Sequence, residues 1–222
     1  MKMDYKGLLP HMGFMLQLTG LSISIPAGFA FYLGETASLI NLLTTSLVFL
    51  SLGVVFNGYE RKKELDFRDS VCIVVIIYLI YTLVGSIPYM SSYVSGGNFL
   101  SPHDALFESV SGYTTTGHTM ITRLSSADHS LLLYRAFTQF IGGLYVILLF
   151  MVFFNPSHGR YDFEKAFGLE KAKNVYRKTF IKILNIYFLV FAASTLLLAL
   201  FGHGLSDSMG LAFAGLSTGG FN

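Results

Sequence analysis

A chain of 222 residues that is 53% hydrophobic and only 13% charged, with a positive mean hydropathy, is excluded from the class of ordinary soluble domains, which carry about a quarter charged residues. The net charge of +2 says little by itself. The single cysteine, Cys72 in an apolar run, excludes a disulfide framework and a thiolate metal site. The composition is that of an integral membrane protein.

Lys2 and Lys6 precede an apolar stretch from Gly7 to Leu33. It exceeds the roughly 7–15 residues of a signal-peptide core and has no convincing small-residue cleavage site, so it reads as a retained span. Crossing a bilayer takes about 20 apolar residues. Five segments meet or approach that length: Leu8–Leu33, Ala37–Phe56, Ser70–Met90, Ser130–Phe154 and Phe180–Phe201. The predicted class is therefore all-α. Pro26 is expected to kink the first span, and Gly34-Glu35-Thr36 leaves room only for a tight antiparallel hairpin with the second.

Basic residues orient the spans. With the N-terminus in the cytoplasm, the inside segments hold Lys2, Lys6, Arg61, Lys62, Lys63, Arg68, Arg160, Lys165, Lys171, Lys173, Arg177, Lys178 and Lys182. Only Arg123 falls outside and Arg135 within a span. Asn155–Lys178 is then the longest cytoplasmic piece, read as a solvated connector with helical turns.

Ser91–His129 is the informative outer segment. Tyr93–Gly97 is a flexible lead-in. Ser101-Pro102-His103-Asp104 has the order of a helix start: a capping hydroxyl, proline at the first position, and an acid in the first turn. A helix from there to Gly112 would be roughly 16 Å long, half of a bilayer core. Thr114–Thr119 would climb back out, which makes the segment a re-entrant loop. Non-helical backbone at that depth persists where it lines a watery cavity. The pattern recurs: Gly202–Leu205 leads in, Ser206-Asp207 is a second cap pair, Met209–Leu216 a second short helix, and Ser217-Thr218-Gly219-Gly220-Phe221 a second loop. In one register Asp104/Asp207, Gly112/Gly215, Thr115/Thr218 and Gly117/Gly220 are identical, and Thr114/Ser217 keeps a hydroxyl. The unit is span, pore helix, filter, span, and its second copy lacks a closing span, so the chain is expected to be the front part of something longer.

A dehydrated cation needs oxygen ligands, and rings of backbone carbonyls beside threonine hydroxyls supply them. The candidate ion-binding residues are Thr114, Thr115, Thr116 and Gly117, with Ser217, Thr218, Gly219 and Gly220. Each pore helix would aim the negative end of its dipole at mid-membrane. Neither loop carries a carboxylate, which favours a monovalent ion over Ca²⁺. Glu108 and Arg135 lie at membrane depth and are expected to pair as a structural brace. The six histidines show no ligand spacing; His118, directly after the filter glycine, is the one to follow. Gly142-Gly143 reads as a close helix contact.

Phe107–Gly117, Leu133-Tyr134-Arg135, Gln139-Phe140-Ile141-Gly142-Gly143 and Ser217–Phe221 resemble the Trk/Ktr/HKT superfamily of potassium transporters, and the N-terminal helix pair is similar to the Trk-type membrane subunit. The resemblance implies four span–pore helix–span repeats around one pore, with K⁺ as the transported ion at the filter residues and no covalent cofactor. It also implies a homodimer in the lipid bilayer of the bacterial inner membrane, a cytoplasmic nucleotide-binding (TrkA-like) regulatory subunit, and no nucleic-acid partner. Tyr145 departs from the pattern, which has a small residue there. The expected division is 1–65 for the hairpin, 66–155 for the first repeat, and 156–222 for the connector and second repeat. The expected function is potassium uptake. A sodium-permeable or potassium–sodium coupled relative is the alternative within transport, and a non-conducting membrane subunit is another reading. Gly215-Leu216-Ser217-Thr218-Gly219 also fits the G-x-S-x-G pattern of serine hydrolases, although that motif needs a strand before its serine.

Overall fold

The computed structural model describes residues 5–60, 67–91, 100–122, 124–153 and 171–221. The lead-in Tyr93–Gly97, Arg123, residues 155–170 of the connector, and Lys2, Arg61, Lys62, Lys63, Arg160 and Lys165 among the basic residues assigned to the inside lie outside that set. The described residues form helices with no strand. Five of the helical segments are long and apolar enough to cross a membrane: Lys6–Leu33, Thr36–Asn57, Val71–Met90, His129–Ile147 and Ile181–Leu200.

The first span is two helices, α1 (Tyr5–Ser22) and α2 (Ser24–Leu33). The break lies just upstream of Pro26, which has no N–H for the Ser22 carbonyl and whose ring crowds that carbonyl. Serine hydroxyls close the opened turn, Ser22 Oγ donating to the Leu18 carbonyl at 2.7 Å and Ser24 Oγ to the Leu21 carbonyl at 2.6 Å. Gly34 then adopts φ +74°, and the Glu35 N–H reaches back to the Ala30 carbonyl at 2.9 Å, so the chain reverses into α3 (Thr36–Asn57). Small residues set the α1–α3 spacing. A Cβ on Gly53 would stand 2.8 Å from the Gly13 carbonyl oxygen, and Ser46 Oγ donates to the Gly20 carbonyl at 2.7 Å.

The third span is present at Val71–Met90, but its helix is interrupted near the C-terminal end. Helix α4 (Phe67–Gly85) stops, and α5 (Ile87–Ser91) restarts after Ser86. Pro88 cannot donate to the Val84 carbonyl, and the Tyr89 N–H turns to Ser86 at 3.1 Å instead of continuing the helix. The Gly85 carbonyl, released by the break, accepts the Tyr134 hydroxyl at 2.9 Å. The break makes room for the ring of Tyr113, whose Cε2 would lie 2.5 Å from a Cβ on Gly85.

Helix α6 (Pro102–Tyr113) and α7 (His129–Phe153) follow, and α7 is the centre of the molecule. Its apolar window is 78% buried, against 28–39% for the three spans before it and none for that of α8 (Lys171–Leu200). Helix α8 begins well before the predicted Phe180, drawing in Lys171–Lys178 from the segment read as connector; that run has no proline or glycine to stop it. Helix α9 (Leu205–Leu216) packs on α7 and α8.

The hairpin is tied to α7 by a residue that the sequence placed only in a connecting loop. Glu35 Oε1 accepts the His129 N–H at 2.9 Å and Oε2 the Ser130 N–H at 2.9 Å, with the Ser130 hydroxyl as a further donor. Ser38 Oγ donates to Asp128 Oδ2 at 2.5 Å beside them. A carboxylate there satisfies otherwise orphaned N–H groups and complements the helix dipole. Glu35→Ala is expected to cost about 1–2 kcal/mol in stability, checked by thermal unfolding of the purified protein. A change below a few tenths would show that water replaces the cap.

Candidate functional site: two pore loops against one helix

The first pore helix begins as its sequence predicts. Ser101 Oγ accepts the Asp104 N–H at 3.2 Å and donates to Asp104 Oδ2 at 2.8 Å, with Pro102 at the first position. The second departs from expectation. Its cap is Gly204, without a side-chain hydrogen bond, while Ser206 and Asp207 lie inside the first turn. In the shared register Gly204 and Leu205 stand where the first copy has Ser101 and Pro102, so the second copy kept the acid and lost the cap. Each helix has 12 residues, roughly 18 Å, and neither can span.

Both helices end in the same backbone. The N–H groups of Thr114, Thr115 and Thr116 return to the carbonyls of Val110, Gly112 and Ser111; those of Ser217, Thr218 and Gly219 return to Phe213, Gly215 and Ala214, position for position. Thr115 has φ +57° and Thr218 φ +55°, the described non-glycine residues in the left-handed region. Gly117 and Gly220 share it at +79° and +66°. A threonine held there is a strained residue of the kind found at functional sites. In a trans peptide the carbonyl of one residue is antiparallel to the N–H of the next. The returned N–H groups therefore turn the carbonyls of Thr114, Thr115, Ser217 and Thr218 away from the helix ends. Thr114, Thr116, Thr218 and Gly220 are exposed on the loops, while Ser217 and Gly219 are buried behind them. The two loops touch: a Cβ on Gly117 would collide with the Gly219 carbonyl oxygen.

Helix α7 forms the back of both loops. Gly142 lies against the Tyr113 carbonyl, where a Cβ would clash, and Gly112 lies equally close to the Thr138 hydroxyl. A Cβ on Gly143 would stand 3.5 Å from the Ser217 Cα. The Gly142-Gly143 pair is thus the close helix contact expected of it, Gly142 meeting the last residue of α6 and a Cβ on Gly143 standing 2.8 Å from the Tyr187 hydroxyl of α8, with the second loop packed beside it. Arg135 Nε donates to Glu108 Oε2 at 3.1 Å, with both side chains buried. The other carboxylate oxygen accepts the Thr119 hydroxyl at 2.6 Å and the Met120 N–H at 2.5 Å. One carboxylate therefore joins the pore helix, the chain leaving the filter, and α7. The guanidinium also lies 4.2 Å from the centre of the Phe221 ring, just past the second filter. The second copy has Leu211 in the register position of Glu108 and no ion pair there.

Tyr145 packs against the rings of Tyr78 and Tyr81 and hydrogen-bonds the hydroxyl of Tyr81, which also accepts Thr19 Oγ1 at 2.9 Å and donates to the Met15 carbonyl at 3.2 Å. Tyr81 in turn stacks on Tyr113, the last residue of the pore helix. Tyr145 thereby links the first repeat to α1. His118 is exposed, and its backbone carbonyl accepts the Ser111 hydroxyl at 2.6 Å. Ser217 follows a helix, is buried, and donates to the Ala214 carbonyl at 3.1 Å, which is not the exposed strand-to-helix turn of a hydrolase nucleophile. Among the described residues no cluster of histidine, cysteine or carboxylate side chains is arranged to hold a metal. The sequence reading missed Glu35 and Thr119 and gave no role to Gln139 or Phe221. Arg135 and Gln139, polar residues four apart in an apolar span, were the available signal.

Membrane-length helices with half-length helices between them, each ending in a strained hydroxyl–glycine loop, define an all-α membrane protein of the pore-loop class. Residues 40–209 match the TrkH family of cation transport proteins, and the chain belongs to that family. It is 32% identical over 187 residues to the Trk system potassium uptake protein TrkH of Escherichia coli K12, covering 80% of this chain and 38% of that protein. It is 28% identical over 233 residues to an uncharacterized cation transporter of Methanocaldococcus jannaschii, covering 100% of this chain and 46% of the other. The crystal structure of the potassium transporter TrkH from Vibrio parahaemolyticus superposes with a TM-score of 0.76 at 27% identity, covering 95% of this chain and 42% of that one. The chain thus spans less than half the length of these relatives.

Proposed function

We propose that this chain supplies two filter segments of a potassium uptake pore. The observation that carries the reading is the shared backbone of Thr114–Gly117 and Ser217–Gly220, with the same returned N–H groups and the same left-handed threonine and glycine. Dehydrated K⁺ would be held by the carbonyls of these residues, with threonine hydroxyls beside them. The pore-helix C-termini would add a negative potential at the same depth. The names of the Escherichia coli and Vibrio relatives support potassium as the ion, and Gly117 favours it over a sodium-permeable pore. Glu108 and Arg135 act as the brace of the first loop rather than as ion ligands, since the carboxylate is engaged by three donors.

The chain divides into an N-terminal hairpin (1–65), a first repeat (66–155), and a connector with the second pore loop (156–222). In the cell it sits in the bacterial inner membrane with its N-terminus in the cytoplasm, in keeping with the distribution of lysine and arginine. Its partners are a second copy and a cytoplasmic nucleotide-binding subunit of the TrkA type. The test is growth of an uptake-deficient host in low potassium, with the full-length protein carrying this chain. Restored growth is expected; no growth despite membrane expression would overturn the reading and favour a non-conducting subunit.

A further inference from the structure

We propose that Gln139 is a positioning residue for ion selectivity, a clamp on α7 that fixes the second filter against the first. The inference rests on the reading of the two loops as filters. Gln139 is fully buried, in the middle of α7. Its Oε1 accepts the N–H of Phe221 at 3.3 Å, immediately after the second filter. That donor fixes the orientation of the carboxamide, because the reversed amide would set two N–H groups against each other. The Nε2 group is therefore directed away from Phe221. It is buried without a hydrogen-bond partner among the described residues, and it lies 2.5 Å from where a Cβ on Gly219 would stand and 3.6 Å from one on Gly117. The carboxamide thus sits against the junction where the Gly219 carbonyl meets Gly117.

Arg135, one helical turn earlier, contacts the same Phe221 through its ring and holds the exit of the first filter through Glu108. Two side chains on one face of α7 therefore fix the ends of both loops. The filters differ in how they are held. The first has its own carboxylate, Glu108, bonding the chain just beyond it. In the second, Leu211 occupies that position, and the chain beyond it is held by Gln139. Losing the amide frees the Phe221 N–H and lets Gly219 and Gly220 shift relative to Gly117. A filter selects by the spacing of its oxygens, so the consequence is relaxed discrimination.

The test uses the full-length protein, measuring potassium uptake with sodium as competitor in wild type, Gln139→Met and Gln139→Glu. Methionine keeps the length and removes both polar groups, whereas glutamate keeps an acceptor for the Phe221 N–H. Gln139→Met is expected to lower K⁺/Na⁺ selectivity about tenfold, the scale of one buried hydrogen bond, and Gln139→Glu to restore most of it. A merely structural role would lower the amount of protein and leave selectivity alone. Where a variant reaches the membrane in small amounts, the K⁺ and Na⁺ concentrations that half-stabilise it against heat give the same ratio. Selectivity within twofold of wild type in Gln139→Met, or equal loss in both variants, overturns the clamp while leaving the potassium reading intact. A wild-type protein that carries no potassium overturns both.

Discussion

Gly117→Ser is expected to cut K⁺/Na⁺ discrimination by about tenfold or more, and by more than the equivalent change at Gly220. Both glycines sit at positive φ, +79° and +66°, so any side chain costs on the order of 1–2 kcal/mol in backbone strain. The two differ in their surroundings. A Cβ on Gly117 would collide with the Gly219 carbonyl oxygen, whereas one on Gly220 has nothing within 4 Å. Serine at 117 must therefore push the second loop away or rotate its carbonyl, and either response alters the spacing of oxygens that selects the ion. Serine at 220 adds strain alone. The check is potassium uptake against increasing sodium for both variants in the full-length protein. Equal effects at the two positions would mean that the loops do not touch as described, and an unaltered ratio in Gly117→Ser would remove Gly117 from the filter.

Breaking the buried pair between Glu108 and Arg135 is expected to be the most destabilising polar change in the described residues. Removing one partner of a buried ion pair leaves a charge without compensation, at a cost of about 3–5 kcal/mol. Glu108→Gln should be worse than Arg135→Gln. In the first, Arg135 stays buried with the Phe221 ring beside it and no counter-charge; in the second, the carboxylate keeps the Thr119 hydroxyl and the Met120 N–H. The double variant should recover part of the loss, because no unpaired charge remains. Thermal unfolding of all three in detergent, arranged as a double-mutant cycle, measures the coupling. Additive losses would show that the two groups do not depend on each other.

The parts legible in the sequence were those set by local chemistry. The first pore helix starts at Ser101-Pro102 and ends in the Thr114–Gly117 loop because cap, proline and glycine act within a few residues. The repeat at Asp207–Gly220 was visible because the same local geometry demands the same residue types. The second cap was misplaced because Ser206-Asp207 resembles a helix start, yet α9 begins at Leu205 with Gly204 as its cap, which puts both residues inside the first turn. The interruption of the third span was also hidden, since Pro88 late in an apolar run looks like a tolerated kink. The break is settled by Tyr113 and Tyr134, which fill and bond the opening.

By itself the sequence determined the membrane class, the number and order of the spans, and the two re-entrant loops, because hydrophobic length and turn chemistry are properties of short stretches. Tertiary structure decided how the loops are held. It made α7 the common back wall, with Arg135, Thr138, Gln139 and Gly142 against both filters. It set Glu35 as the cap of α7 and gave Tyr145 a partner in Tyr81. Those contacts join residues tens of positions apart, and within a span nothing in the local pattern separates a polar residue facing a filter from one facing another helix.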